Sequence, residues 1–267
     1  MDAIQPQDAI DLARYPIEDL ESARAKALIA DCQAGLKETG ACVLDGFVPP
    51  DRVAGAVAEV EGNLGEAFYK TKQHNPYLIP DDPAFPADHP RNRRLTTNSA
   101  TLGYDLIPRG CTLDGIYNWP PLRAFIARVL GYDALYPYTD PLSPLNILVY
   151  QPGTGTNWHF DNANFVVTLM LQQSEAGGLY QYAPFIRGDG HDNYDAIGRV
   201  LDGVPEGVLE LKQDPGALVL FQGQYTLHRV TPVEGAADRL VAVFTYHPEP
   251  GMRLAEHTRK TFYGRAA

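Results

Sequence analysis

A chain of 267 residues carrying 33 acidic against 22 basic side chains, a formal charge of -11, has room for a sizeable core but repels phosphate backbones and anionic lipid. Nucleic acid and membrane are therefore not expected as partners, and no stretch approaches the roughly 20 apolar residues of a membrane span. Cys32, Cys42 and Cys111 are scattered and odd in number, which argues against a disulfide framework or a thiolate metal site and for a reducing, cytoplasmic setting.

One domain is expected, with residues 1–90 as a helical and loop buttress and residues 91–267 as a β core. Met1 to Tyr15 has no basic stretch leading into an apolar run, so an unexported protein is expected, and Asp2 to Pro16 reads as an extended arm. Glu18 to Glu38 is rich in Ala, Leu, Glu and Lys, and Leu28, Cys32 and Leu36 fall on one helical face. Gly40 stops that helix, Ala41 to Phe47 reads as a strand, and Asp51 to Phe68 reads as a second helix with Val53, Val57, Val60 and Leu64 in register. Asn75 to Pro90 holds five prolines without an apolar period and is a loop, a candidate lid. Leu122, Phe125, Ile126, Val129 and Leu130 mark a third helix, ended by Gly131.

From Leu145 the pattern changes to short β-rich runs: Leu145 to Tyr150, Phe165 to Leu171, Leu179 to Tyr182, Ala217 to Phe221, Tyr225 to Val230 and Leu240 to Tyr246. Turn residues between them point to a barrel or two-sheet sandwich, so the fold class is α+β, a jelly-roll-like core flanked by N-terminal helices. No GxGxxG or P-loop suggests a nucleotide fold.

In Asn157-Trp158-His159-Phe160-Asp161, His159 and Asp161 alternate on a strand-like segment and project to one face. Two histidines and one carboxylate on one side of iron(II) leave positions for a bidentate keto acid and dioxygen. His228, in the apolar run Tyr225 to Val230, is the candidate third ligand. Arg239, on the next predicted strand, suits the distal carboxylate of 2-oxoglutarate. An HxD triplet alone is common, and a lone Arg is more often a surface residue; the conjunction of the four carries the reading.

That HxD…H…R pattern resembles the iron(II)- and 2-oxoglutarate-dependent dioxygenase superfamily, whose fold is a double-stranded β-helix. Trp158 to Asp161, Phe165 to Gln172, Leu227 to Val233, Arg239 to Tyr246 and Thr258 to Gly264 are similar to the branch containing free-amino-acid hydroxylases and radical halogenases. The resemblance implies Fe(II) and 2-oxoglutarate as cofactors, dioxygen as co-substrate and a small-molecule substrate, a free amino acid or derivative. Halogenases of the branch replace the carboxylate ligand by Gly, so Asp161 implies hydroxylation. Relatives acting on lysine-like side chains carry an acidic residue after the triplet, where this chain has Asn162; Asp140 could compensate.

Arg94 lies where the branch binds a substrate carboxylate, although with Arg91 and Arg93 it also reads as a solvated basic cluster. Thr245 and Thr156 are further candidate substrate contacts, with Asn146 and Tyr263 behind them, and Trp158 reads as packing beside the metal. A metal-dependent hydrolase or isomerase without a keto acid, and a non-catalytic β-barrel binding protein, remain as rival functions. Monomer and homodimer are both open.

Overall fold

The computed structural model describes residues 5–266. In chain order its principal strands are β1 (Ala41–Leu44), β2 (Phe68–His74), β3 (Leu95–Leu102), β4 (Leu145–Tyr150), β5 (Thr156–His159), β6 (Val166–Gln172), β7 (Tyr180–Ala183), β8 (Leu209–Leu211), β9 (Leu218–Phe221), β10 (Leu227–Val230) and β11 (Arg239–Phe244). They form a seven-stranded sheet in the order β1-β9-β6-β11-β4-β3-β2 and a four-stranded sheet in the order β8-β7-β10-β5. The helices are α1 (Pro6–Ala9), α2 (Ala23–Thr39), α3 (Pro50–Glu61), α4 (Thr112–Asn118), α5 (Pro120–Leu130), α6 (Tyr194–Leu201) and α7 (Glu256–Tyr263).

Strand alternation decides which side chains meet. Leu145, Ile147 and Val149 of β4, Leu240, Ala242 and Phe244 of β11, and Leu218 and Leu220 of β9 turn to a core shared with helices α2 to α5. Their neighbours turn the other way: Tyr150 packs with Val230 and Tyr180, and Val219 and Phe221 pack with Tyr182. The inner faces of the two sheets thus close on each other, giving the α+β jelly-roll core.

Strand β3 ties the sheets together at one edge. Its later residues pair with β4, Ala100 opposite Val149 and Leu102 opposite Ile147. Its earlier residues run beside β5, through an Asn98–Gly155 bridge and the Asn157 amide donating to Thr97 Oγ1 at 2.9 Å.

Several boundaries differ from the sequence reading for local reasons. Helix α2 begins after Ser22, whose Oγ accepts from the Ala25 amide at 3.2 Å, and ends at Gly40, whose φ of 76° suits a residue without a Cβ. Helix α3 stops at Glu61, and the segment expected to continue it to Phe68 turns through Leu64–Glu66 into β2. The expected arm lies partly outside the described residues, at Asp2 to Ile4; of the rest, Ala9, Ile10 and Tyr15 are buried, and the Tyr15 hydroxyl donates to Asp45 O at 2.7 Å. Among the described residues no helix is long and apolar enough to cross a membrane.

Candidate metal centre and anion pocket

β5 and β10 are neighbours in the smaller sheet, with His159 directly opposite His228. Asp161 follows two residues after His159, its amide donating to Gly223 O at 3.0 Å. The His159, Asp161 and His228 ligand atoms all lie within 4.8 Å of one another. Each Asp161 oxygen is 3.6 Å from one histidine Nε2, Oδ1 from His159 and Oδ2 from His228.

The other ring nitrogens fix the tautomers. His159 Nδ1 lies 2.8 Å from Asn157 O, and His228 Nδ1 lies 2.9 Å from Thr226 O. A carbonyl only accepts, so each Nδ1 carries the proton and each Nε2 presents a lone pair to the centre. Burial, then the neighbouring His228, pushes His159 down to about 3, so its ring stays neutral and available for a metal. Burial pushes the Asp161 carboxyl up, but His228 and His159 outweigh it and hold the group below the usual carboxylate range. Two oriented imidazole nitrogens and one carboxylate fit iron(II).

Gly223 makes the room for this carboxylate. A Cβ there would lie 1.8 Å from Asp161 Oδ2. Sequence reasoning passed over Gly223 because nothing in Gln222-Gly223-Gln224 distinguishes it from an ordinary turn.

Arg239 opens β11 and is 4% exposed. Its Nη2 donates to Gln213 Oε1 at 2.9 Å, its guanidinium lies 5.5 Å from the Tyr150 ring centre, and among the described residues it forms no ion pair. Burial lowers its pKa against the pull of Tyr150 and Tyr180. A cavity of about 370 Å³ opens beside it, lined by Met170, Gly178, Tyr180 and Gln213 among others. The Tyr180 ring stacks on His228 with centres 5.7 Å apart, so it links this cavity to the metal centre. Gln213, Tyr150 and Tyr180 were not anticipated from sequence, since neutral residues in a loop or a strand carry no motif.

The remaining predicted residues scatter around this core. Thr156 Oγ1 is bonded to the Tyr150 hydroxyl at 3.0 Å, Asn162 is exposed beside Asp161, and half-buried Thr245 follows β11 with its amide bonded to Pro144 O at 2.8 Å. Arg94 immediately precedes β3, its side chain 56% exposed and paired with Asp81 at 2.7 Å. It lies near His74, whose ring is 6.3 Å from that of His159. Asn146 is buried on the Tyr150 face of β4, and Tyr263 is buried on α7. Trp158 is buried with Phe160 in a cluster on the outer face of the smaller sheet, with Arg229 over its ring at 4.6 Å.

Asp140 does not offer the free carboxylate that a substrate ammonium would need. It is 2% exposed and accepts from the Leu142, Ser143 and Leu254 amides and from Ser143 Oγ, at 2.5 to 3.1 Å. The proline-rich loop borders the centre, because the Phe160 amide donates to Pro76 O at 2.8 Å. It is pinned internally by Asn92, which bonds both the amide and the carbonyl of Asp82 at 2.8 Å, and by stacking of Phe85 on His89.

The family described as Halogenase D matches residues 96–263, more than half of the chain. Among solved structures, an oxidoreductase of the 2OG-Fe(II) oxygenase family from Burkholderia pseudomallei is similar over 84% of this chain and 92% of its own, at 14% identity and a TM-score of 0.51. A prolyl hydroxylase from Trichoplax adhaerens, in complex with a hypoxia inducible factor peptide, is similar over 84% and 90%, at 15% identity and a TM-score of 0.55. The epimerase SnoN, in complex with Fe3+, alpha ketoglutarate and nogalamycin RO, is similar over 83% and 84%, at 13% identity and a TM-score of 0.56. No curated protein sequence matches. At these identities the structural likeness establishes the shared fold. The chain belongs to the Halogenase D family and has the fold of the 2OG-Fe(II) oxygenases.

Proposed function

We propose that the protein is an iron(II)- and 2-oxoglutarate-dependent oxygenase that hydroxylates a small polar metabolite, a free amino acid or a derivative with an anionic group. The observation that carries this reading is Arg239, a buried guanidinium with one neutral partner, beside a cavity whose lining residue Tyr180 stacks on His228. A buried charge left uncompensated costs several kcal/mol, so a carboxylate ligand is the natural completion. A metal-dependent hydrolase or isomerase would leave this arginine without a purpose.

His159, Asp161 and His228 would hold the iron on one face, and the Asn157 and Thr226 carbonyls would keep the two imidazoles turned to it. Arg239 would pair with the distal carboxylate of 2-oxoglutarate while Gln213 holds the guanidinium plane. Iron and 2-oxoglutarate together supply oxygen activation and cleavage of a substrate C–H bond. Tyr150 and Tyr180 wall the space between and exclude water.

Hydroxylation is favoured over halogenation because Asp161 occupies the position of the third ligand and Gly223 is cut back to admit its carboxylate. Arg94, Asn162, Thr156 and Thr245 are the proposed substrate contacts. Dioxygen and the substrate are the partners; the comparisons lend a homodimer no support. Three free, buried cysteines suit a reducing cytoplasm.

The test is succinate release from protein, iron(II) and 2-oxoglutarate across a panel of free amino acids and derivatives, with products weighed by mass spectrometry. An added oxygen atom supports the reading. A chlorine-containing product, or no iron-dependent succinate, overturns it.

A further inference from the structure

Strand β2 was not expected from the sequence, and its last residue, His74, has none of the roles assigned so far. His74 is 5% exposed and both its ring nitrogens are bonded: Nδ1 lies 2.9 Å from Asn75 O, and Nε2 lies 2.8 Å from Thr97 Oγ1 on β3. A carbonyl only accepts, so Nδ1 carries the proton and Nε2 accepts from the Thr97 hydroxyl. With its hydrogen turned to His74, Thr97 Oγ1 presents a lone pair to the Asn157 amide, which donates to it at 2.9 Å.

That amide needs an acceptor from outside its own sheet. β5 is an edge strand of the smaller sheet, with β10 on one side only, and the Thr97 hydroxyl stands where a further strand would offer a carbonyl. The next peptide unit is held as well: its N–H, on Trp158, donates to Asn157 Oδ1 at 2.9 Å, and its carbonyl, Asn157 O, accepts from His159 Nδ1 at 2.8 Å. Both peptide planes flanking the Asn157 Cα are therefore pinned, and the second of them aims the His159 imidazole. The path is compact, since the His74 and His159 rings lie edge to face with centres 6.3 Å apart. Any buried histidine needs bonded nitrogens; what singles out this one is where its bonds lead.

We propose that His74 is a positioning residue for the metal ligand His159, acting through the Thr97 hydroxyl and Asn157 to fix the direction in which His159 Nε2 meets a metal. The proposal rests on the reading of His159, Asp161 and His228 as a metal centre and names a residue that tunes it. Without an acceptor at position 74 the Thr97 hydroxyl loses its fixed rotamer, and the Asn157 amide loses its fixed partner. Asn157 O is then free to swing, and His159 to turn and to exchange tautomers. Ordering that ring again on metal binding lowers the affinity.

The experiment uses the full-length protein with cobalt(II) as the metal probe, in wild type, His74→Phe, His74→Gln, Thr97→Val and Thr97→Ser. Val keeps the shape of Thr without its hydroxyl, and Gln carries an amide to the place of the imidazole Nε2. Affinity is read by equilibrium dialysis, ligand geometry from the cobalt d–d absorption, and the His159 tautomer of the metal-free protein from its ring nitrogen-15 shifts. The unfolding midpoint of each metal-free variant is measured separately; His74→Leu stands in if the Phe ring is not accommodated, and the near-isosteric Thr97→Val tests the same path. The expected result is that His74→Phe and Thr97→Val bind cobalt(II) about tenfold more weakly, with altered d–d bands and a mixed His159 tautomer, while His74→Gln and Thr97→Ser stay close to wild type. Unchanged affinity and spectrum in His74→Phe or in Thr97→Val, or losses in the Gln and Ser variants equal to those in Phe and Val, overturn the positioning role. A wild type that binds no cobalt(II) overturns the metal centre, and the role of His74 with it.

Discussion

Asp140 and Arg239 are both nearly sealed from solvent, 2% and 4% exposed, yet their surroundings are opposite. Asp140 collects three backbone amides and a hydroxyl from its own turn and from Leu254, so the chain completes its charge. Arg239 has one neutral amide oxygen and two tyrosine rings, so the chain leaves its charge incomplete. Full internal satisfaction marks a structural charge, and partial satisfaction beside a cavity marks a ligand's place. The candidate metal centre belongs with Arg239: three possible donor side chains converge there, their ligand atoms all within 4.8 Å of one another.

This contrast predicts which changes cost activity and which cost stability. The largest effect is expected at the triad, where His159→Ala, Asp161→Ala and His228→Ala each reduce iron-dependent succinate formation to background while the thermal unfolding midpoint stays close to wild type. Full activity in any one variant removes that residue from the metal site.

At Asp140 the loss should fall on the fold instead. Asp140→Ala strands the Leu142, Ser143 and Leu254 amides and should cost about 3–5 kcal/mol in urea unfolding. Arg239→Met, by contrast, should leave the ligand-free protein as stable or more stable, because it removes a buried charge that nothing in the chain completes. Destabilisation by Arg239→Met as large as that by Asp140→Ala would erase the distinction.

A smaller effect should come from Gly223→Ala. Its Cβ would meet Asp161 Oδ2 at 1.8 Å, so metal affinity should fall by about 10-fold or more, read by equilibrium dialysis with cobalt(II). Unchanged affinity would show that Asp161 has slack.

The smallest effect concerns Lys70, pushed from its ordinary 10.5 to about 7 by burial and by Lys72. Between those values the unfolded chain holds more protons than the folded one, so stability rises with pH across that window, and below it the penalty is full. Relative to Lys70→Gln, wild type should therefore gain stability from pH 6.5 to pH 9.5. Parallel pH profiles would contradict the desolvated ammonium.

The candidate metal group was legible because histidine and aspartate are chemically distinctive and His159 and Asp161 alternate on a strand-like segment, while His228 and Arg239 stand on or beside apolar runs. Each of the six expected β runs overlaps a strand, with ends that agree to within two residues. What escaped was held by tertiary contact rather than pattern. β2 alternates Phe, Lys, Lys and His inward, which reads as polar chain until β3 pairs with it. α6 is short, and its Ile197 and Val200 are buried only by packing in the cluster with Trp158 and Phe160. Gly223 and Gln213 act through position, one by lacking a Cβ and one by supplying an amide oxygen, and neither leaves a trace in composition. Asp140 misled in the other direction, because an acidic residue in sequence does not reveal that its own backbone already satisfies it.

The central claim is that Arg239 is completed by the distal carboxylate of 2-oxoglutarate bound beside the triad. It is tested most directly by anaerobic titration of the iron(II)-loaded protein with 2-oxoglutarate, following the absorbance of the iron–keto-acid chromophore in wild type and in Arg239→Ala. The account predicts that wild type binds and that the variant still binds iron but loses about 2–5 kcal/mol of 2-oxoglutarate affinity. Superimposable titrations of the two proteins, or no chromophore in wild type, would contradict it.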